Sequence, residues 1–188
     1  MRRPFLLAVI AFAATLFVMV ACGRAMQPAP MLASASPADR DLARLRDATR
    51  PFRDLDSAVA AGYPRTVTDC IIHEHHGAMG YHHLNRDLAD GVVDVEHPEM
   101  LLYERLPNGV YRLNGVEFIV PYRFWSRDST PPEVLGQRMK HEDNFKYWYM
   151  HVWAWRPNRD GLFADFNPDV QCPASASKVY HSPSEPAE

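Results

Sequence analysis

Residues 99–121, which read EMLLYERLPNGVYRLNGVEFIVP, carry the clearest fold signal in the chain. Two apolar runs, 99–106 and 110–121, flank the sequence Pro-Asn-Gly at 107–109. Proline followed by asparagine and glycine is typical of a type I turn that ends in a left-handed glycine, and such a turn closes a three-residue hairpin loop. The stretch therefore predicts two antiparallel strands joined by a tight turn.

The length of this loop predicts the register of the hairpin. With Leu106 opposite Val110, Glu104 falls opposite Arg112, so a cross-strand ion pair is the simplest role for Glu104. Glu117 stands among apolar neighbours, where a carboxylate is expensive to bury unless it has a partner, and it is the preferred carboxylate of a polar site. In this register Glu117 points to the face opposite Glu104, and a slip of one residue would put both on the same face.

A third strand is predicted over residues 147–155, where side chains alternate strictly, and residues 162–166 are a candidate fourth strand. One face of the third strand would carry Tyr147, Tyr149, His151, Trp153 and Trp155. A histidine in the middle of such a face is either hydrogen-bonded in the core or a ligand that lines a pocket. The aromatic residues Tyr149, Trp153 and Trp155 could instead form a platform for a sugar or another flat ligand.

Helix signals precede the strands. Ser36 is a candidate N-cap with Pro37 at the first helical position, Pro51 interrupts the apolar pattern, and Gly62 ends it. Two short helices, or one kinked helix, are predicted over residues 37–61. Helices first and an antiparallel sheet later predict an α+β fold, with N-terminal helices packed on an antiparallel β-sheet in a single domain.

The N-terminus predicts export. Arg2 and Arg3 precede an almost wholly apolar run, residues 5–21, which has the order of a secretory signal peptide. Cys22 follows a small residue and resembles the acylated cysteine of bacterial lipoproteins, so the protein is expected to be anchored by lipid to a bacterial membrane, on the periplasmic face or at the cell surface. A single N-terminal membrane anchor is the alternative. Both interpretations place the remaining chain outside the cytoplasm.

Cysteine usage agrees with an exported domain. With Cys22 assigned to lipid, Cys70 and Cys172 remain as an even pair in an oxidising compartment, which predicts a structural disulfide that closes the domain. A catalytic thiol is the alternative. The predicted organisation is a signal peptide, a linker, one globular domain and a disordered tail: residues 1–21, 22–35, 36–172 and 173–188.

Composition argues against a nucleic-acid partner and indicates a metal ion. The 188 residues include 20 Lys+Arg against 23 Asp+Glu without a basic tract, so no nucleic-acid partner is expected. Five of the nine histidines fall within eleven residues: His73, His75, His76, His82 and His83. Imidazole is the commonest transition-metal side-chain ligand, so this segment indicates a metal, although it matches no standard metal motif. A solvated loop without a physiological ion is the alternative.

Five short segments together resemble a family of uncharacterised secreted bacterial proteins. They are GAMGYH (77–82), PEMLLYE (98–104), VEF (116–118), HVWAW (151–155) and FNPDVQC (166–172). The resemblance implies a shared cysteine pair, Cys70 with Cys172, and a shared polar set: His82, Glu104, Glu117 and His151. It places His73, His75 and His76 outside the family pattern. The family has no established activity, so the resemblance supplies no function.

Three functions follow from these patterns. The first is an exported lipoprotein that binds zinc, copper or iron, with an open coordination position if it is an enzyme. Its candidate ligands are His82, His151, Glu117 and Glu104, supported by His73, His75 and His76. The second is a carbohydrate-binding or small-ligand-binding envelope protein that uses the face formed by Tyr149, Trp153 and Trp155. The third is a structural envelope lipoprotein whose polar residues pair internally. Whether the protein is an enzyme is left open.

Overall fold

The computed structural model describes residues 35–64, 66–174 and 177–179. The predicted signal peptide, Cys22 and almost all of the predicted linker lie outside these residues, so the predictions on export and lipidation stay predictions. Within the described part of the chain, no helix combines the length and the apolar character needed to cross a membrane.

A curled seven-stranded sheet is the main structural element of the described chain. Its strands run in the order β7-β8-β4-β3-β2-β1-β9, and neighbours are antiparallel except for the parallel pair β1 and β9. β5 and β6 form a separate two-stranded ribbon. The strands are β1 (Cys70–His73), β2 (Gly77–Leu84), β3 (Met100–Arg105), β4 (Tyr111–Pro121), β5 (Glu133–Val134), β6 (Gln137–Arg138), β7 (Lys140–Glu142), β8 (Tyr147–Val152) and β9 (Ser177–Val179).

The predicted N-terminal helices are present. They comprise α1 (Pro37–Thr49), a 3-10 turn (Arg50–Arg53) and α2 (Leu55–Ala60), and a second 3-10 turn (Arg86–Leu88) follows β2. Ser36 and Asp39 form a reciprocal capping box, because the Ser36 side chain accepts from the Asp39 backbone N–H and the Asp39 carboxylate accepts from the Ser36 backbone N–H.

The predicted balance between helix and sheet needs a correction. The protein is mostly β, rather than a layer of helices packed on a sheet. The reason is the histidine-rich segment, which forms two further strands, β1 and β2, around a turn at residues 74–76. The helices contribute single residues such as Leu45 and Ala58 to a core that strand residues dominate.

Strand alternation gives the sheet two different faces. One face joins the helices in the main core, through residues such as Val116, Phe118, Met150 and Val152. The other face borders a cavity and carries His82, Leu84, Met100, Glu117, Ile119, Tyr149 and His151. The polar residues of interest are therefore separated from the main core by the sheet itself.

The hairpin register matches the prediction near the turn. Leu106 donates its backbone N–H to the Val110 carbonyl at 2.8 Å, and Glu104 lies opposite Arg112. The short loop fixes these pairs because a three-residue connection permits little variation in register.

A β-bulge then changes the register of the same hairpin. Leu102 lies opposite Gly115, whereas the register at the turn would place it opposite Asn114. The extra residue shifts the remainder of β4 by one position and brings Glu117 to the same face as Glu104. The bulge is stabilised from outside the hairpin, because the Asn114 carbonyl accepts two backbone N–H groups from the segment after β8.

The predicted disulfide between Cys70 and Cys172 is present, and it links β1 to the end of the domain across 102 positions of sequence. The segment predicted as a disordered tail contains a short strand, β9, whose backbone pairs with β1. Both features connect the C-terminal part of the chain to the same strand.

Candidate metal centre

Three strands bring His82, Glu117 and His151 together, and we call this group the His–Glu–His cluster. Glu117 on β4 and His151 on β8 are directly opposite each other, and His82 reaches them from β2. The Nε2 atoms of both histidines lie 3.5 Å from the same carboxylate oxygen, Oε2 of Glu117. All three side chains are at least 95% buried.

The spacing of these donor atoms fits one metal ion. The three ligand atoms lie within 4.8 Å of one another. Zinc binds imidazole nitrogen and carboxylate oxygen at about 2.0–2.2 Å, so two ligands at tetrahedral or octahedral angles stand roughly 3.0–3.5 Å apart. The two 3.5 Å separations match this range.

The other ring nitrogens of the two histidines face polar partners. Nδ1 of His82 lies 3.3 Å from the Thr68 hydroxyl, and Nδ1 of His151 lies 3.8 Å from the Asp165 carboxylate. Lys140 in turn holds Asp165 through a 2.6 Å contact. In metal sites an outer partner at one ring nitrogen orients the imidazole and directs the other nitrogen to the ion. This arrangement leaves both Nε2 atoms directed at the centre of the cluster.

His151 has unsatisfied hydrogen-bonding groups. Both of its ring nitrogens are buried, and neither makes a hydrogen bond within the part of the chain that the structure describes. Buried polar atoms without a partner are rare and cost about 1–3 kcal/mol each. An ion bound at Nε2 would satisfy one of them.

Burial and mutual attraction set the charges in the cluster. Burial lowers the pKa of His82 to about 4, so its imidazole is neutral near pH 7. Burial disfavours the charged forms of His151 and Glu117 as well, but their mutual attraction outweighs it. The pKa of His151 is therefore raised and that of Glu117 is lowered. A metal ion bound at Nε2 would compete with a proton at that atom, because only the neutral imidazole is a ligand.

A cavity of about 840 Å³ opens in front of the His–Glu–His cluster and is lined by all three of its side chains. Structural zinc sites are usually closed by four protein ligands, whereas catalytic sites keep a position open for water or substrate. Three protein ligands that border a cavity correspond to the open type.

Glu104, a predicted ligand, is placed outside the cluster. Its carboxylate lies 2.5 Å from Arg112 and 3.5 Å from Arg156, and it accepts the backbone N–H of Gln171 at 3.1 Å. These contacts form the cross-strand ion pair that the register predicts, extended by a second arginine. The bulge places Glu104 and Glu117 on one face, but the Glu104 carboxylate is paired with the two arginines.

The histidines at the β1–β2 turn are also outside the cluster. His73 is buried and packs against His76 and Phe166, with ring centroids 4.6 and 5.0 Å away, and its Nδ1 accepts the His75 backbone N–H at 3.2 Å. Across residues 35–64 and 66–174, the His–Glu–His cluster is the only group of three metal-binding side chains with donor atoms within 4.8 Å. The structure thus separates the two halves of the histidine-rich segment.

The predicted aromatic face is only partly formed. Tyr149 lines the cavity, but β8 ends at Val152 and the next residues leave the strand. Trp153 is 2% exposed and donates its indole N–H to a backbone carbonyl, and Trp155 donates to the Thr49 hydroxyl. The prediction that both tryptophans share an open face with Tyr149 was wrong, because it assumed that the strand continues to residue 155.

Sequence reasoning missed three residues around the cluster: Thr68, Lys140 and Asp165. Asp165 falls in the candidate fourth strand, but residues 162–166 form turns and bends instead. Lys140 and Asp165 are far apart in sequence from His82 and carry no local motif. Only the folded arrangement connects them to the histidines, so no signal in the sequence would have identified them.

Comparison with known proteins gives no further assignment. No family model matches the chain, and neither a curated protein nor a solved structure matches it. The resemblance to secreted bacterial proteins therefore stays a prediction.

Proposed function

We propose that this is an exported metal-binding protein whose ion is held by His82, Glu117 and His151. The observation that carries the proposal is the convergence of two buried imidazole Nε2 atoms on one buried carboxylate oxygen, each at 3.5 Å. The Thr68 hydroxyl lies 3.3 Å from the outer ring nitrogen of His82, the Asp165 carboxylate faces that of His151, and the cavity leaves room for further ligands of the ion.

The donor set restricts the ion to a few candidates. Two imidazoles and one carboxylate suit zinc, copper(II) or non-haem iron(II), whereas an oxygen-only set would favour calcium or magnesium. When bound, such an ion would supply Lewis acidity at a coordination position that faces the cavity. The protein side chains would hold and orient the ion and exclude bulk water from its inner side.

Export and lipid anchoring are the second part of the proposal. The Cys70–Cys172 disulfide supports an oxidising compartment, because such bonds are rare in cytosolic proteins. The apolar N-terminal run and Cys22 support a lipid-anchored form on the periplasmic face of a bacterial membrane or at the cell surface.

Elemental analysis of the untagged, exported protein tests the metal site. The variants are His82→Ala, His151→Ala and Glu117→Gln, the last of which keeps the side-chain shape and removes the charge. His141→Ala is the matched control, because His141 is exposed and lies outside the cluster. We expect near-stoichiometric metal in the parent and the control, and its loss from all three cluster variants.

Two outcomes would contradict the proposal. Folded parent protein without metal after growth with zinc, copper and iron would show that the cluster is not a metal site. Metal retained by folded Glu117→Gln and His82→Ala proteins would show that the ion is held elsewhere.

A further inference from the structure

Apolar side chains form much of the wall of the cavity in front of the His–Glu–His cluster. Met79, Met100 and Ile119 are each more than 90% buried yet line the cavity, and Leu84 and Tyr149 are half-buried there. Water makes few favourable interactions with such walls, whereas an apolar ligand that covers them removes apolar surface from water and so lowers the free energy. The inner part of the cavity is therefore suited to an organic group.

The apolar surface continues to the outside of the protein. Phe145 and Val67 also line the cavity, and they are 64% and 44% exposed. The Phe145 ring stacks on Tyr147, with centroids 6.0 Å apart and planes 11° from parallel. Exposed apolar side chains that continue a buried apolar wall indicate a path along which a ligand enters.

The size of the cavity exceeds what a hydrated ion requires. A water molecule occupies roughly 30 Å³ of liquid, whereas the cavity measures about 840 Å³. Pockets for organic ligands have volumes of about 300–1,000 Å³. The cavity belongs to this class by volume.

Charges around the cavity do not favour a strongly charged ligand. Arg86, Arg123 and Lys146 line it together with Asp69 and Glu142. Positive and negative groups are therefore mixed, and electrostatic selection by the lining is weak. The apolar walls and the ion therefore determine which ligand the cavity prefers.

We propose that the cavity binds a small organic molecule that has an apolar ring or chain and an oxygen-donor head group. The head coordinates the ion held by His82, Glu117 and His151, and the apolar body packs against Met79 and Tyr149. This inference rests on the proposed metal site and adds the chemical class of its ligand.

Two hydroxamates that share one metal-binding head test this inference. Acetohydroxamate carries a methyl group, and benzohydroxamate carries a phenyl ring that can contact the cavity walls. Calorimetric titration of the zinc-loaded, full-length protein gives the affinity for each probe. Titration of a small zinc chelate in water gives the difference in intrinsic zinc affinity between the two probes. After this correction we expect benzohydroxamate to bind roughly ten- to a hundred-fold more tightly, because it buries an aromatic ring.

The outcomes separate this inference from the metal site. Stoichiometric zinc with equal corrected affinities for the two probes would overturn the inference and leave the metal site standing. Benzohydroxamate that binds equally well to zinc-free protein would overturn the role of the ion in ligand binding. Failure to retain zinc, copper or iron would overturn the proposed function itself. A Met79→Gln variant should reduce the preference for benzohydroxamate, while the comparison of probes on the parent protein needs no variant.

Discussion

Replacement of Glu99 by glutamine should stabilise the protein above neutral pH. Glu99 is 1% exposed, and its carboxyl accepts a hydrogen bond from the Ile119 backbone N–H at 3.0 Å. Burial raises its pKa from 4.5 to about 8, although the bond from Ile119 favours the charged form. Glutamine keeps the shape and the accepting oxygen of this side chain and cannot ionise.

The sign and size of the effect follow from the two pKa values. Below pH 4.5 the carboxyl is protonated in both the folded and the unfolded state, so its ionisation does not lower the free energy of unfolding. Between pH 4.5 and 8 the unfolded chain releases the proton while the folded protein keeps it, and stability falls as the pH rises. Each pH unit in this interval costs about 1.4 kcal/mol, so the free energy of unfolding falls by about 5 kcal/mol in total.

Urea denaturation of the metal-free protein from pH 5 to pH 9 measures this dependence. The difference between Glu99→Gln and the parent should grow by about 1.4 kcal/mol per pH unit and level off above pH 8. Taking the difference removes the titration of groups that both proteins share. Glu133→Gln, at an exposed carboxylate, is the control variant. A difference for Glu99→Gln that is constant from pH 5 to pH 9 would refute the reasoning.

Two further predictions concern the disulfide and the surroundings of the His–Glu–His cluster. Replacing Cys70 and Cys172 together with alanine should lower the free energy of unfolding by about 4–5 kcal/mol, because the bridge closes a loop of 102 positions in the unfolded chain. Urea denaturation measures this loss, and a change below 1 kcal/mol would contradict it. Asp165→Asn should weaken metal binding by about 10–100-fold, because Asp165 faces the outer ring nitrogen of His151. Chelator competition measures the affinity, and an unchanged value in a folded variant would exclude this orienting role.

Local sequence predicted the parts of the fold that depend on local chemistry. The turn at 107–109 and the pairing of Glu104 with Arg112 follow from a short loop whose geometry a few residues determine. The N-cap at Ser36 is similarly local. Alternation in Tyr147–Val152 correctly placed Tyr149 and His151 on one face, because that strand is regular.

The parts that were not predicted depend on contacts between distant segments. The bulge at Asn114 is stabilised by backbone groups after β8, so the hairpin sequence alone does not show which face Glu117 occupies. The end of β8 is likewise set from a distance, because the Trp153 backbone N–H donates to the Leu162 carbonyl. For the same reason, the sequence could name the histidines and glutamates without selecting which of them meet.

The ligands of the His–Glu–His cluster come from three separate strands, and this has a consequence for how an ion is acquired. His82, Glu117 and His151 are far apart along the chain and become neighbours only when β2, β4 and β8 are part of one sheet. A nascent or unfolded chain offers scattered side chains that no ion can bridge with comparable affinity. Under the proposed function, metal loading would therefore be a late event in maturation, and the ion would come from the metal pool of the compartment in which folding is completed. For an exported chain, the identity of the bound metal would depend on the metals available where the protein folds as well as on the preference of its ligands.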